Sequence, residues 1–189
     1  NASDYDPADG SDLEGLIYQQ VDVGSPDAIE SARLDFDSLD CLVLSQGIVV
    51  YKRGEFENPG WDKVMAVNLD SLMHCSRVCK PMLAKAKGSV IIVSSISGLS
   101  ANVGNPAYAA SKAGAISLTK TLGQAWAPDG IRVNKARSNY SDGFGGKCMS
   151  GNNLHQVRGG STDALSPCRF HPRSSIVAMT QVEGVPVRG

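Results

Sequence analysis

Gly88-Ser-Val-Ile-Ile-Val-Ser-Ser-Ile-Ser-Gly98, followed after a short loop by Asn105-Pro-Ala-Tyr-Ala-Ala-Ser-Lys-Ala-Gly114, decides the fold. Residues 89–94 are an apolar run rich in β-branched side chains that closes on hydroxyls, the pattern of a buried strand. Gly104-Asn105-Pro106 reads as a loop leading into a helix, with Asn105 as its cap, and the spacing predicts that helix over 105–127. On such a helix Tyr108 and Lys112 stand one turn apart on the same face. Ser95 ends the strand. A phenol, an ammonium and a hydroxyl converging at a strand tip make a proton-transfer site for an alcohol or a carbonyl, because the cation stabilises a phenolate and the hydroxyl can hold the substrate oxygen. Taken alone, Tyr-x-x-x-Lys reads more readily as a surface lysine one turn after a half-buried tyrosine. The surrounding sequence reverses that balance.

Working outward, Gly15-Leu-Ile-Tyr-Gln-Gln-Val-Asp-Val23 predicts a strand that ends in an acidic residue. Ser25 and Pro26 then supply an N-cap and a first helical position for a helix running to about Phe36. Leu39-Asp-Cys-Leu-Val-Leu44 is a second apolar strand, stopped by Ser45-Gln46-Gly47. A long helix opens at Pro59 or Gly60 and buries Val64, Val67, Asn68, Leu72, Cys75 and Val78, with a bend expected at Pro81. Ile131-Arg-Val133 is a short strand. Strands alternating with helices predict an α/β fold, a parallel sheet covered on both faces. Residues 1–14 read as an exposed loop, and 135–173 carry Gly, Ser, Asn and Arg with few apolar positions, again a loop pattern.

Bulk composition excludes several classes. The 189 residues fit one domain, 42% hydrophobic and 20% charged, as in an ordinary globule. A net charge of −1 gives no electrostatic reason to expect nucleic acid or an anionic membrane as partner. No apolar run is long enough to span a bilayer, and the acidic N-terminus is no signal peptide. Cys75 and Cys79, four apart on one helix face, and the scattered His74, His155 and His171 predict no metal site. Buried free thiols in a reducing cytoplasm are the expectation. Trp61 and Trp126 are read as packing helix ends, and Lys80, Lys85 and Lys87 as a solvated helix terminus.

From about Leu16 to Asn134 the chain closely resembles the short-chain dehydrogenase/reductase family, in particular its classical 3-oxoacyl-carrier-protein-reductase-like members. Asp22-Val23, Val67-Asn68, the Ser95/Tyr108/Lys112 triad and Gly130-Ile-Arg-Val-Asn134 carry the likeness, in the family's order. The resemblance implies a Rossmann-like, doubly wound parallel sheet and an oxidoreductase that interconverts a ketone and a secondary alcohol with NAD or NADP. It implies Tyr108 as the acid or base, Lys112 as the group that stabilises the phenolate and bonds the nicotinamide ribose, and Ser95 as the holder of the substrate oxygen. Ser94, turned to the other side by strand alternation, is the poorer candidate. Asn68 would hold a relay water near Lys112, or be a satisfied core amide. Asp22 and Val23 would contact the adenine ring, with Asp22 equally readable as a cap on the next turn. Gly47 would let the backbone approach the cofactor. The family's dimers and tetramers, built on its two long helices, imply a homodimer or homotetramer through helices near 60–79 and 105–127. The implied partner is a small-molecule carbonyl or alcohol.

Three departures qualify that expectation. No glycine-rich turn precedes Leu16, so the first βαβ unit is expected to be lacking and the chain to be an incomplete copy of a longer protein. In the order 3-2-1-4-5-6, strand 39–44 would then lose its neighbour and the sheet would have a hole in its middle. Leu44-Ser-Gln-Gly47 stands where the family carries Asn-Asn-Ala-Gly, so only the glycine is kept. After Asn134 the family's Pro-Gly turn is replaced by Lys135-Ala-Arg-Ser-Asn139. Residues 1–134 are thus read as a partial dehydrogenase domain and 135–189 as its divergent or irregular C-terminal part. A shifted reading frame after Asn134 would explain this; so would divergence, which Ser175-Ile-Val-Ala178 and Gly184-Val-Pro-Val-Arg-Gly189 support. The rival function is a catalytically silent fragment or relative, kept as an assembly partner.

Overall fold

The computed structural model of the chain describes residues 19–32, 34, 36–138 and 175–179. Among these residues, four parallel strands form one sheet in the order β3-β2-β1-β4: β1 is Cys41–Leu44, β2 Ser89–Ser95, β3 Arg132–Ser138 and β4 Ile176–Met179. The helices are α1 (Pro26–Ser31), α2 (Asn58–Met65), α3 (Ser71–Ala86) and α4 (Pro106–Ala125), and a π-helical segment, Ala66–Asp70, joins α2 to α3. The fold is α/β, a parallel sheet with flanking helices.

Strand alternation sorts the sheet into two faces. Leu42 and Leu44 of β1, Val90 and Ile92 of β2 and Val133 of β3 turn to one side, in register, and join a core with Ile29 of α1, Leu72, Cys75, Cys79 and Leu83 of α3, and Ala115 and Leu122 of α4. Val177 and Met179 of β4 pack on the same side. Val43, Ile91 and Val93 point the other way and are half-buried among the described residues. Each fully buried Leu or Ile on the core side contributes roughly 1.5–3 kcal/mol of transfer free energy, so this face holds the sheet to its helices.

Several elements differ from the expectation. Gly15–Tyr18 lie outside the described residues, and residues 19–22 carry no strand but lead into a turn at Val23 and Gly24. No strand lies beside them among the described residues, and Gln19, Gln20 and Asp22 bring little apolar surface to hold one. Helix α1 stops at Ser31 instead of reaching Phe36; the Ser31 hydroxyl donates to the carbonyls of Asp27 and Ala28, competing with the helix ladder. Helix α3 continues five residues past Pro81 to Ala86. It closes with Gly88 N–H bonded to Leu83 O and Lys87 N–H to Ala84 O, a Schellman arrangement in which Lys87 takes the left-handed conformation. Glycine is needed one position later, because a Cβ at Gly88 would stand 2.4 Å from Leu39 O. Lys80 bonds Asp129 at 2.9 Å and lies over the Trp126 ring, a tie between α3 and the turn after α4.

Strand β3 is longer than the expected 131–133. Its residues 135–138 continue the ladder against Ile92–Ser95, where the extended neighbour outweighs the polar composition. The largest correction concerns the expected hole: the side of β1 away from β2 is occupied by β4. Its ends are tied down, Ser175 N–H to the Asp40 carboxylate at 2.8 Å and the Ser45 hydroxyl to Met179 O at 3.0 Å.

Candidate active site

The tip of β2 and the first half of α4 meet at Lys112. Strand β2 sends the Ser94 hydroxyl to Lys112 O at 3.1 Å, and Lys112 Nζ returns to Val93 O at 3.1 Å. Beyond the strand, the 3-10 turn Ile96–Gly98 presses on the same helix: a Cβ at Gly98 would lie 2.7 Å from the Lys112 carbonyl carbon and oxygen. The two serines face opposite ways, as alternation requires. Ser94 is a structural tie, whereas the Ser95 oxygen accepts Ser97 N–H at 3.3 Å and keeps its own proton available among the described residues.

Lys112 is 4% exposed, and its ammonium lies 5.7 Å from the centre of the Tyr108 ring. Burial pulls its pKa down from 10.5 to about 8, so it remains charged at neutral pH but holds its proton less firmly. Gly47 is directly opposite: a Cβ there would stand 3.3 Å from Lys112 Nζ and 3.7 Å from Asn68 Oδ1. Glycine keeps that space open.

Asn68 lies in the π-helical segment, fully buried. Its Oδ1 accepts Ile48 N–H at 2.8 Å, and its Nδ2 donates to Ile48 O at 2.9 Å and to Ser111 Oγ at 3.3 Å. Three of its four hydrogen-bonding positions are thus taken, and the pair of bonds to Ile48 fixes the loop that carries Gly47. Gln46 is also buried; its Nε2 donates to Ser71 Oγ at 2.9 Å, while its Oε1 has no partner among the described residues. Val23 packs with Ile48, Val50, Val64, Val67, Ala107 and Tyr108 in a small apolar cluster under the site. Asp22 sits at the same end, its carboxylate accepting Gly24 N–H at 2.9 Å as a turn cap. The structure therefore brings Gly47, Asn68 and Lys112 together with Tyr108 one turn away, ends β2 on Ser95 two residues past the carbonyl that Lys112 bonds, packs Val23 beneath Tyr108 and leaves Asp22 as a turn cap.

One residue of this arrangement was not legible in the sequence. Asn105 occupies the N-cap position of α4 but makes no capping bond. The cap comes from Glu55, whose Oε2 accepts Tyr108 N–H at 2.9 Å while its Oε1 accepts Val50 N–H at 3.1 Å and Asn105 Nδ2 at 3.2 Å. Glu55 is fully buried, yet in sequence it is a loop glutamate, which reads as solvated. Among the described residues no group of His, Cys, Asp and Glu could hold a metal ion, and no helix is long and apolar enough to cross a membrane.

Comparison with known proteins places this geometry in context. Residues 11–142 match the profile of the family described as short chain dehydrogenase. The 3-oxoacyl-acyl-carrier-protein reductase FabG of Salmonella typhimurium is 34% identical over 139 residues, 71% of this chain and 55% of that protein. An oxidoreductase of the short chain dehydrogenase/reductase family from Brucella ovis, solved in complex with a partially ordered NAD, superposes with a TM-score of 0.59 at 30% identity, covering 65% of this chain and 62% of that one. A structure from Agrobacterium tumefaciens with bound NADP gives 0.54 at 30% identity, covering 62% and 48%. The chain spans about half the length of the curated relatives it matches.

Proposed function

The chain belongs to the short chain dehydrogenase family, and from that membership we propose that it carries the proton-handling part of an NAD(P)-dependent oxidoreductase interconverting a ketone and a secondary alcohol. One observation carries the reading. Helix α4 seats Lys112 against the hydroxyl-bearing tip of β2 and against the open Cα of Gly47, one turn from Tyr108.

The residues fit one end of a nicotinamide cofactor. Gly47 leaves room that a Cβ would fill, and Lys112 offers an ammonium with donors to spare beyond Val93 O. The family's solved members with NAD and with NADP support either dinucleotide. When bound, the nicotinamide supplies or takes up the hydride. In carbonyl reduction Tyr108 gives its phenolic proton to the substrate oxygen, and in alcohol oxidation it accepts that proton back. Lys112 stabilises the phenolate left behind and holds the ribose. Ser95 donates its free hydroxyl proton to the same substrate oxygen, where negative charge develops. Asn68 keeps the Gly47 loop against Lys112, and the one lone pair left on its Oδ1 is available to a relay water. Asp22 and Val23 bound the adenine side. The substrate is a small carbonyl compound or alcohol, and assembly as a dimer or tetramer through the α2–α3 and α4 helices goes with the family.

A second reading, a silent relative kept for assembly, is favoured by β4. The strand beside β1, from whose end a phosphate-binding turn would spring, is made by residues 176–179, and the sequence after it, Thr180-Gln-Val-Glu-Gly184, is not a glycine-rich turn. Titration of NADH and NADPH fluorescence separates the two, together with turnover of a ketone panel. Binding with turnover that Tyr108→Phe abolishes is the expected result. No binding of either dinucleotide removes the enzyme reading, and unchanged turnover in Tyr108→Phe removes the role given to the phenol.

A further inference from the structure

Glu55 is a fully buried carboxylate to which the proposed chemistry gives no part, and burying a carboxylate costs several kcal/mol unless it is well compensated. No cation pairs with it among the described residues. Its compensation is three N–H donors and the positive end of a 20-residue helix. An ordinary helix start would be satisfied by Asn105 at the N-cap, a local and cheap solution. Here Asn105 is turned aside to bond Glu55 and the Val50 carbonyl, and the cap arrives from a loop 53 residues away in sequence.

The loop is built to deliver it. Lys52 and Arg53 both adopt left-handed backbone, φ 56° and 60°, a conformation that non-glycine residues hold at a cost of order 1 kcal/mol or more each. The next turn is locked, because a Cβ at Gly60 would fall 2.1 Å from Gly54 O. Between these two features the Glu55 side chain is fully buried. The backbone N–H it grips belongs to Tyr108, and its other oxygen grips Val50, three residues beyond Gly47.

We infer that Glu55 is a positioning residue: its carboxylate clamps the first turn of α4 to the loop after β1 and so sets where Tyr108 stands relative to the cofactor-facing Gly47. This rests on the proton-transfer role proposed for Tyr108. Lys112 lies a turn further along the helix with its own bond to Val93, and Ile48 is held independently by Asn68, so the cofactor side does not depend on the clamp.

The test uses Glu55→Gln and Glu55→Ala in the whole protein. In Glu55→Gln one acceptor oxygen becomes an NH2 group, so at least one of the three donors loses its partner while size is kept. The expected result is a kcat lowered by about tenfold or more, as small displacements of reacting groups cost, with the NADH dissociation constant changed less than about twofold. Amide hydrogen exchange at Tyr108 should quicken by about tenfold or more, with Leu122 further along α4 unchanged. Unchanged kcat in both variants overturns the inference. So does a fall in kcat, cofactor affinity and melting temperature together, the mark of a merely structural residue. If the unsubstituted protein turns over no ketone, the function proposed above fails, and the exchange measurement alone decides the clamp: an unchanged Tyr108 amide refutes it.

Discussion

Lys112 shows how far one residue can be argued from its surroundings. Its ammonium is buried against Val93 O, and burial lowers its pKa from 10.5 to about 8. The folded state therefore binds this proton less tightly than the unfolded chain does. Below pH 8 both states are protonated and the full cost of burying the charge is borne. Between 8 and 10.5 the folded state sheds the proton first, and above 10.5 that cost is gone. Stability relative to a Lys112→Met variant should accordingly rise across that window, by up to about 3 kcal/mol. Chemical denaturation of both proteins at pH 7.5, 9 and 10 checks this, and a difference that stays flat with pH would show that the ammonium is not desolvated. The one-turn spacing of Tyr108 and Lys112 and the place of Ser95 at the end of β2 were legible in sequence because each is fixed within a single element. Glu55 was not, since two of its three partners lie 50 and 53 residues away and nothing in Gly54-Glu-Phe-Glu57 signals burial.

At the scale of elements, apolar runs and helix starts were legible wherever one segment decides its own state, as in β2 and α4. Boundaries set by a neighbour were not: β3 extends to Ser138 only because β2 offers seven residues of ladder, and the π-helical Ala66–Asp70 has no signature in its composition. Contact between elements makes its own prediction at Gly98. This glycine lets the Ile96–Gly98 turn lie on α4, with Lys112 C and O at 2.7 Å and Ala113 N at 2.8 Å from where a Cβ would be. Backbone on backbone cannot be relieved by a rotamer change, so Gly98→Ala must push the turn off the helix, at about 1–3 kcal/mol. Ser95 caps that turn and would move with it. A lower melting temperature together with a reduced kcat is expected. Unaltered values for both would mean that the turn and helix are not in the contact described.

The whole molecule turns on which strand lies beside β1. Family order alone led to a sheet with a missing neighbour there, and the answer came from the far end of the chain, where a four-residue apolar stretch after a long polar segment gives no hint of its partner. Pairing of β4 in register with Cys41–Leu44 is a physical claim that alternation can test. Val177 and Met179 turn toward the core with Leu42 and Leu44, while Ala178 is exposed on the opposite face. A charge placed at 177 would be half-buried against the apolar core without a partner, and one placed at 178 would stay in water. Val177→Asp should therefore cost roughly 1–3 kcal/mol, whereas Ala178→Asp should stay within about 0.5 kcal/mol, both read from urea midpoints. The contrast between adjacent positions is what a paired strand demands and what a loosely lying segment cannot produce. Equal effects at the two sites, large or small, would remove β4 from the sheet and reopen the gap beside β1.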